Sequence, residues 1–131
     1  KKEINNVHFL GSFPLKEMPA FIKKSDALFI SLKADQNYNL TIPNKLQSYL
    51  ASSKPIIGNI GGVSKKIILE SEAGFVSEPG DVYKLADIII KMSKISKKQL
   101  EEIGKNGTNY YRDNFSNEVF LKNFRRLLTK I

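Results

Sequence analysis

The chain has 131 residues, enough for one domain with a single core, and its 41% hydrophobic and 26% charged residues exclude a disordered or fibrous protein. No stretch reaches the roughly 18 unbroken apolar residues of a membrane span; the start Lys1-Lys2-Glu3-Ile4-Asn5-Asn6 has no signal-peptide run, and Cys is absent, so a cytoplasmic protein is expected. A formal charge of +8 attracts the phosphates of nucleotides or anionic lipid, but without an aromatic-basic RNA signature, zinc spacing or helix-turn-helix pattern no nucleic-acid partner is expected.

In chain order, Val7-His8-Phe9-Leu10 reads as a strand closed by Gly11. Met18, Phe21 and Ile22 fall at helical spacing with Pro19 suited to the first turn, and Ala27-Leu28-Phe29-Ile30-Ser31-Leu32 reads as a second strand, buried on both faces because its apolar run is nearly continuous. After a polar loop, Pro43 opens a helix with Leu46, Tyr49, Leu50 and Ala51 on its apolar face. Pro55-Ile56-Ile57-Gly58 is the next strand, followed by the turn Asn59-Ile60-Gly61-Gly62, a helix over residues 64–71 and a short strand at Gly74-Phe75-Val76. Short strands alternating with helices imply right-handed crossovers and an α/β class: a Rossmann-like parallel sheet flanked by helices on both faces. The second half is a helical tail. Asp81 caps one helix, Ser96 with Gln99 forms a capping box stapled by Ile95 and Leu100 ahead of a second, and a third follows Asn114-Phe115-Ser116 with Phe120, Phe124, Leu127, Leu128 and Ile131 on one face.

In an open parallel sheet ligands gather at the carboxyl ends of the strands, so the loops after Leu10, Leu32, Gly58 and Val76 are expected on one edge. Two of these loops suit a phosphate. Thr41-Ile42-Pro43-Asn44-Lys45 places a hydroxyl, unpaired backbone N–H groups and a cation at a helix start, and Gly61-Gly62 lets backbone approach a ligand closely at the next. Each feature also has an ordinary structural use, as a tight turn or a solvated cation. Acid-base candidates are sparse. His8, the single histidine, fits a structural or rim position; Asp26, Asp35, Glu70, Glu72, Glu78 and Asp81 qualify by type only, and neither a Ser-His-Asp set nor a Cys nucleophile can be built.

Taken in order, Asn6-Val7-His8-Phe9-Leu10-Gly11, Lys24-Ser25-Asp26-Ala27, the stretch Thr41-Ile42-Pro43-Asn44-Lys45-Leu46-Gln47-Ser48-Tyr49-Leu50-Ala51-Ser52-Ser53-Lys54-Pro55, then Gly61-Gly62, Ala73-Gly74-Phe75-Val76 and Pro79-Gly80-Asp81 form a specific series. It resembles the C-terminal half of the GT-B fold in retaining glycosyltransferases of family 4, and within them the N-acetylfucosamine transferase-like subgroup of bacterial surface polysaccharide synthesis. The resemblance implies transfer of a sugar from a nucleoside-diphosphate sugar, usually a uridine diphosphate sugar, with no required metal or other cofactor. It implies that residues 1–131 are a partial donor-binding domain, inactive alone. The N-terminal domain that takes a saccharide or lipid-linked acceptor would be missing, together with the first strands and their basic phosphate-binding residue. It places Phe9, Leu10 and Gly11 at the base, Thr41, Ile42, Pro43, Asn44 and Lys45 at the diphosphate or sugar, and Gly61 and Gly62 in the same cleft. Peripheral contact with the inner face of the membrane is a further expectation. Three positions depart from the family pattern. Ser48 stands where a Glu meets the donor ribose, Leu40 replaces its partner Glu, and Ser53 replaces a glycine, at about 1 kcal/mol if its φ is positive. A non-enzymatic interaction domain on the same fold and a GT-B nucleotide-sugar epimerase are the alternatives.

Overall fold

The computed structural model describes residues 4–35 and 39–129. The described chain runs from an extended arm through a single 3-10 turn at Leu15–Glu17 into α1 (Met18–Lys24) and β1 (Leu28–Ser31). It continues through α2 (Asn44–Ala51), β2 (Ile56–Asn59), α3 (Gly62–Glu70) and β3 (Gly74–Ser77), and ends in α4 (Val82–Ser93), α5 (Lys97–Phe115) and α6 (Asn117–Leu128). The three described strands are parallel in the order β1-β2-β3. The α/β class and the Rossmann-like sheet flanked by helices, with a three-helix tail, are therefore observed.

Pleating sorts the side chains. Leu28, Ile30, Ile56, Gly58 and Val76 share one face, and there Ile30 and Ile56 pack with Leu46 and Leu50 of α2 and Ile67 and Ile68 of α3 to form the core. Gly58 brings the sheet close to α3, since a Cβ on it would sit 3.1 Å from the Ile68 side chain. On the opposite face Lys91 of α4 lies over the Phe75 ring, its Nζ 4.3 Å from the centroid. That face is only partly covered, and Phe29 remains 49% exposed. The expectation that Ala27-Leu28-Phe29-Ile30-Ser31-Leu32 is buried on both faces is thus corrected. A continuous apolar run shows that both faces are apolar, but burial needs a second layer, and at β1 only the face toward α2 has one.

A second correction concerns Val7-His8-Phe9-Leu10, which forms no strand and is exposed throughout. An extended segment becomes a strand only when a neighbour takes its N–H and C=O groups, and β1 pairs only with β2 among the described residues. The arm instead packs locally, with the Phe13 and Phe21 rings 4.6 Å apart. The end of α1 is tied to the sheet by Lys54, whose Nζ donates to the carbonyls of Lys23 at 3.1 Å and Ser25 at 2.6 Å.

The helix starts follow local chemistry. Asp81 accepts from the Lys84 N–H at 2.9 Å, Ser96 and Gln99 form the expected capping box at the start of α5, and Ser116 accepts from Val119 N–H ahead of α6. None of the α6 residues is buried, so its apolar stripe of Phe120, Phe124, Leu127 and Leu128 is amphipathic as expected yet uncovered; Ile131 lies outside the described residues. No helix among the described residues is long and apolar enough to cross a membrane.

Helix α5 closes the amino-terminal end of the sheet by lying against the turn after α2. Ser53 there has φ +56°, the left-handed position after a helix C-cap, and its hydroxyl shares a 2.6 Å hydrogen bond with that of Thr108. Gly104 makes the contact possible, because a Cβ on it would overlap the Ser53 carbonyl. Gly104→Ala is expected to lower stability by about 2 kcal/mol through this overpacking, read as a lower midpoint with an unchanged slope in urea unfolding.

Candidate functional site

The three parallel strands end on one edge, and each ends there in a small polar residue. Ser31, Asn59 and Ser77 are cross-strand partners in a single row. Asn59 is buried and its amide is fully used: Oδ1 accepts from Ser31 Oγ at 3.4 Å, while Nδ2 donates to Ser77 Oγ and to the Glu78 carbonyl, both at 2.9 Å. Ser77 Oγ donates in turn to the Gly58 carbonyl at 3.4 Å. This row fixes the directions in which the chain leaves the strands. Sequence patterning places Asn59 only in a turn and does not single out Ser31 or Ser77. The available signal was that each apolar run terminates in a short polar side chain.

Past Asn59, Ile60 drops into the core at 1% exposure and the chain turns at Gly61-Gly62 into α3. Gly62 has φ +61°, and a Cβ on it would collide with the backbone of Asn39, so only glycine lets the segment before α2 lie against this turn. Buried Ser64 fastens the two together by donating from Oγ to the Thr41 carbonyl at 3.2 Å. The structure therefore brings the predicted stretch Thr41-Ile42-Pro43-Asn44-Lys45 against the Gly61-Gly62 turn. Ile42 and Pro43 are half-buried and anchor it, while Thr41, Asn44 and Lys45 are exposed.

Both helices that begin here, α2 after Pro43 and α3 after Gly61, start without a side-chain cap, as does α1, whereas α4, α5 and α6 are capped by Asp81, Ser96 and Ser116. The first N–H groups of α2 and α3 thus open onto the carboxyl edge with the positive ends of two helix dipoles. Lys45 adds a charge in the first turn of α2, its Nζ 5.8 Å from the Tyr49 ring centroid. Ser48 turns away from this role. Its Oγ donates one turn back to the Asn44 carbonyl at 3.1 Å, and Leu40 is 82% exposed.

A cavity of about 370 Å³ lies beside the turn, lined by Ala34, Asp35, Asn39, Gly61, Gly62, Glu78 and Pro79. Glu78 forms an ion pair with Lys65 of α3. Of the carboxylates named by type, Asp35 and Glu78 reach this cavity, Asp81 is a helix cap, and Glu70 pairs with Lys66 at 3.5 Å. Among the described residues no group of three or more His, Cys, Asp and Glu is placed to hold a metal ion.

Phe9, Leu10 and Gly11 lie elsewhere. They line a separate cavity of about 500 Å³ with His8, Phe13, Met18 and Phe21, and none of the residues at the Gly61-Gly62 cavity contributes to it. Of the loops expected on one edge, those after β1, β2 and β3 share it. The loop after Leu10 does not belong to the sheet, because the segment before it pairs with no strand.

A family model described as glycosyl transferases group 1 matches residues 1–94. The match takes in the arm, the three described strands and the starts of α2 and α3, and it ends just beyond α4. No curated protein and no solved structure matches the chain.

Because Asn59 joins all three strand ends, Asn59→Ala is expected to cost about 2 kcal/mol by removing the hydrogen bonds to buried Ser77 and to the Glu78 carbonyl. Amide hydrogen exchange should quicken at the carboxyl ends of β1, β2 and β3 more than in α5, where uniform acceleration would point to a general loss of stability instead.

Proposed function

We propose that this chain, which belongs to the group 1 glycosyl transferases, holds the diphosphate and sugar of a nucleoside-diphosphate-sugar donor. The observation that carries the reading is the convergence of residues 41–45 with the Gly61-Gly62 turn at two helix starts that have no side-chain cap. Helix starts without a side-chain cap, their dipoles and the Lys45 ammonium suit a diphosphate. They suit it best as the sugar departs and negative charge builds on the leaving oxygen, so that binding and catalysis draw on the same donors.

In this reading Phe9, at 97% exposure, offers with Leu10 and Gly11 an apolar surface for the base. The donor is a uridine diphosphate sugar and no metal or other cofactor takes part. Residues 1–131 are part of the donor-binding half of a GT-B enzyme of family 4. A separate N-terminal domain takes the acceptor, a saccharide or lipid-linked saccharide in bacterial cell-surface polysaccharide synthesis. The +8 charge favours work at the inner face of an anionic membrane. A competing reading, an interaction domain on an inherited fold, draws on Ser48, whose hydroxyl is spent inside α2, and on Leu40, which offers no polar group. Sugar transfer by the full-length protein would exclude it.

Calorimetric titration of the full-length protein with uridine diphosphate is expected to show saturable binding that weakens as salt rises. Lys45→Ala should weaken it about fivefold, the loss of one solvent-exposed charged hydrogen bond. Absence of binding by the unaltered protein overturns the reading.

A further inference from the structure

The cavity beside Gly61-Gly62 has one wall to which the diphosphate gives no role. Glu78 follows Ser77 at the end of β3, and its backbone is pinned: the carbonyl accepts from Asn59 Nδ2 at 2.9 Å and from the Asp81 N–H at 3.1 Å. From there the side chain reaches back over the turn. Its Oε1 pairs with Lys65 Nζ, and its Oε2 lies 3.8 Å from the point a Cβ on Gly61 would occupy. One carboxylate oxygen is therefore held by a cation on α3, while the other lies over the glycine turn at the cavity that Glu78 lines.

The charges of this cavity sort its ligand. The charged residues lining it among those described, Asp35 and Glu78, are acidic, so a phosphate is better placed toward Lys45 and the start of α2, which lie outside the lining, and at the start of α3, which borders it, than against these carboxylates. A neutral polyol has no such conflict. Its hydroxyls donate hydrogen bonds that a carboxylate accepts strongly, and the missing side chains of Gly61 and Gly62 leave room for a ring to approach the backbone. The volume of about 370 Å³ falls within the roughly 300–1,000 Å³ of small-molecule sites.

We propose that Glu78 is a specificity-determining residue whose Oε2 accepts a hydrogen bond from a sugar hydroxyl of the bound donor, with Lys65 holding the carboxylate in place. This rests on the donor-binding reading above. The hydroxyl belongs either to the ribose of the nucleotide or to the transferred sugar, and one set of measurements separates the two.

The full-length protein and its Glu78→Gln and Lys65→Met variants are titrated with uridine diphosphate and with uridine diphosphate N-acetylglucosamine. Glu78→Gln keeps the shape of the side chain and removes its charge. It is expected to weaken binding of at least one ligand by about fivefold or more. Equal weakening of both ligands assigns the hydroxyl to the ribose, and weakening of the sugar nucleotide alone assigns it to the transferred sugar. Lys65→Met leaves the carboxylate and is expected to cost less than half that factor. Unchanged affinity of Glu78→Gln for both ligands overturns the proposal while leaving the donor reading intact. So does a loss in Lys65→Met as large as that in Glu78→Gln, which would give the effect to the cation. If the unaltered protein binds neither ligand, the donor reading fails and this proposal with it.

Discussion

The buried amide of Asn59 is where the sheet and the loops of the carboxyl edge meet. A parallel sheet of short strands has no hairpins to fix how its ends diverge, so the exits depend on side chains. Asn59 holds Ser31 on one side and Ser77 with the Glu78 carbonyl on the other, and its bond to Ser77 joins two buried side chains that would be costly to leave unpaired. Because the direction of each loop follows from this row, the approach of Asn39 to Gly62 and the Ser64 bond to Thr41 are consequences of it.

The opposite end of the sheet is closed by packing. Helix α5 lies against the turn after α2, with Gly104 against the Ser53 carbonyl and Thr108 donating to the Leu50 carbonyl at 3.3 Å. Helix α2 therefore links the two ends. Its start opens onto the carboxyl edge, Leu46 and Leu50 are fully buried along its length, and its last turn is gripped by α5. A close-packed interior transmits rather than absorbs displacement. A change at Gly104 should consequently be felt along α2, toward Lys45 in its first turn.

What the sequence made legible were features whose causes are local. Pro43 ahead of α2, Asp81 ahead of α4 and the Ser96-Gln99 box ahead of α5 are each specified by a few adjacent residues, and each was found where expected. Ser53 belongs with them, because its left-handed φ follows from its place just past a helix C-cap. The misreadings share one cause, which is that apolar patterning records what a segment could bury against and not whether a partner is present. Val7-His8-Phe9-Leu10 has the pattern of a strand and no strand beside it, and the second face of β1 is apolar but only partly covered. The Asn59 row and the Lys65–Glu78 pair were illegible for another reason. Each joins residues separated by an intervening helix or strand, so they become neighbours only once the register is set.

The groups gathered at the carboxyl edge also constrain the kind of chemistry it suits. They are backbone N–H groups at two helix starts, a glycine turn, and charges held in place by neighbours, whereas the single histidine sits in the arm at a different cavity. Such a set is suited to binding an anion and stabilising charge, and poorly suited to moving protons. Transfer of a sugar from a nucleoside diphosphate matches those capacities, because the leaving group departs as a stabilised anion and needs donors more than an acid. The proposed division of the edge, with phosphate at the helix starts and hydroxyls at Glu78, then resolves an apparent conflict. An acidic cavity beside an anion site is a mismatch for one small ligand, but it fits a ligand that is anionic at one end and a neutral polyol at the other.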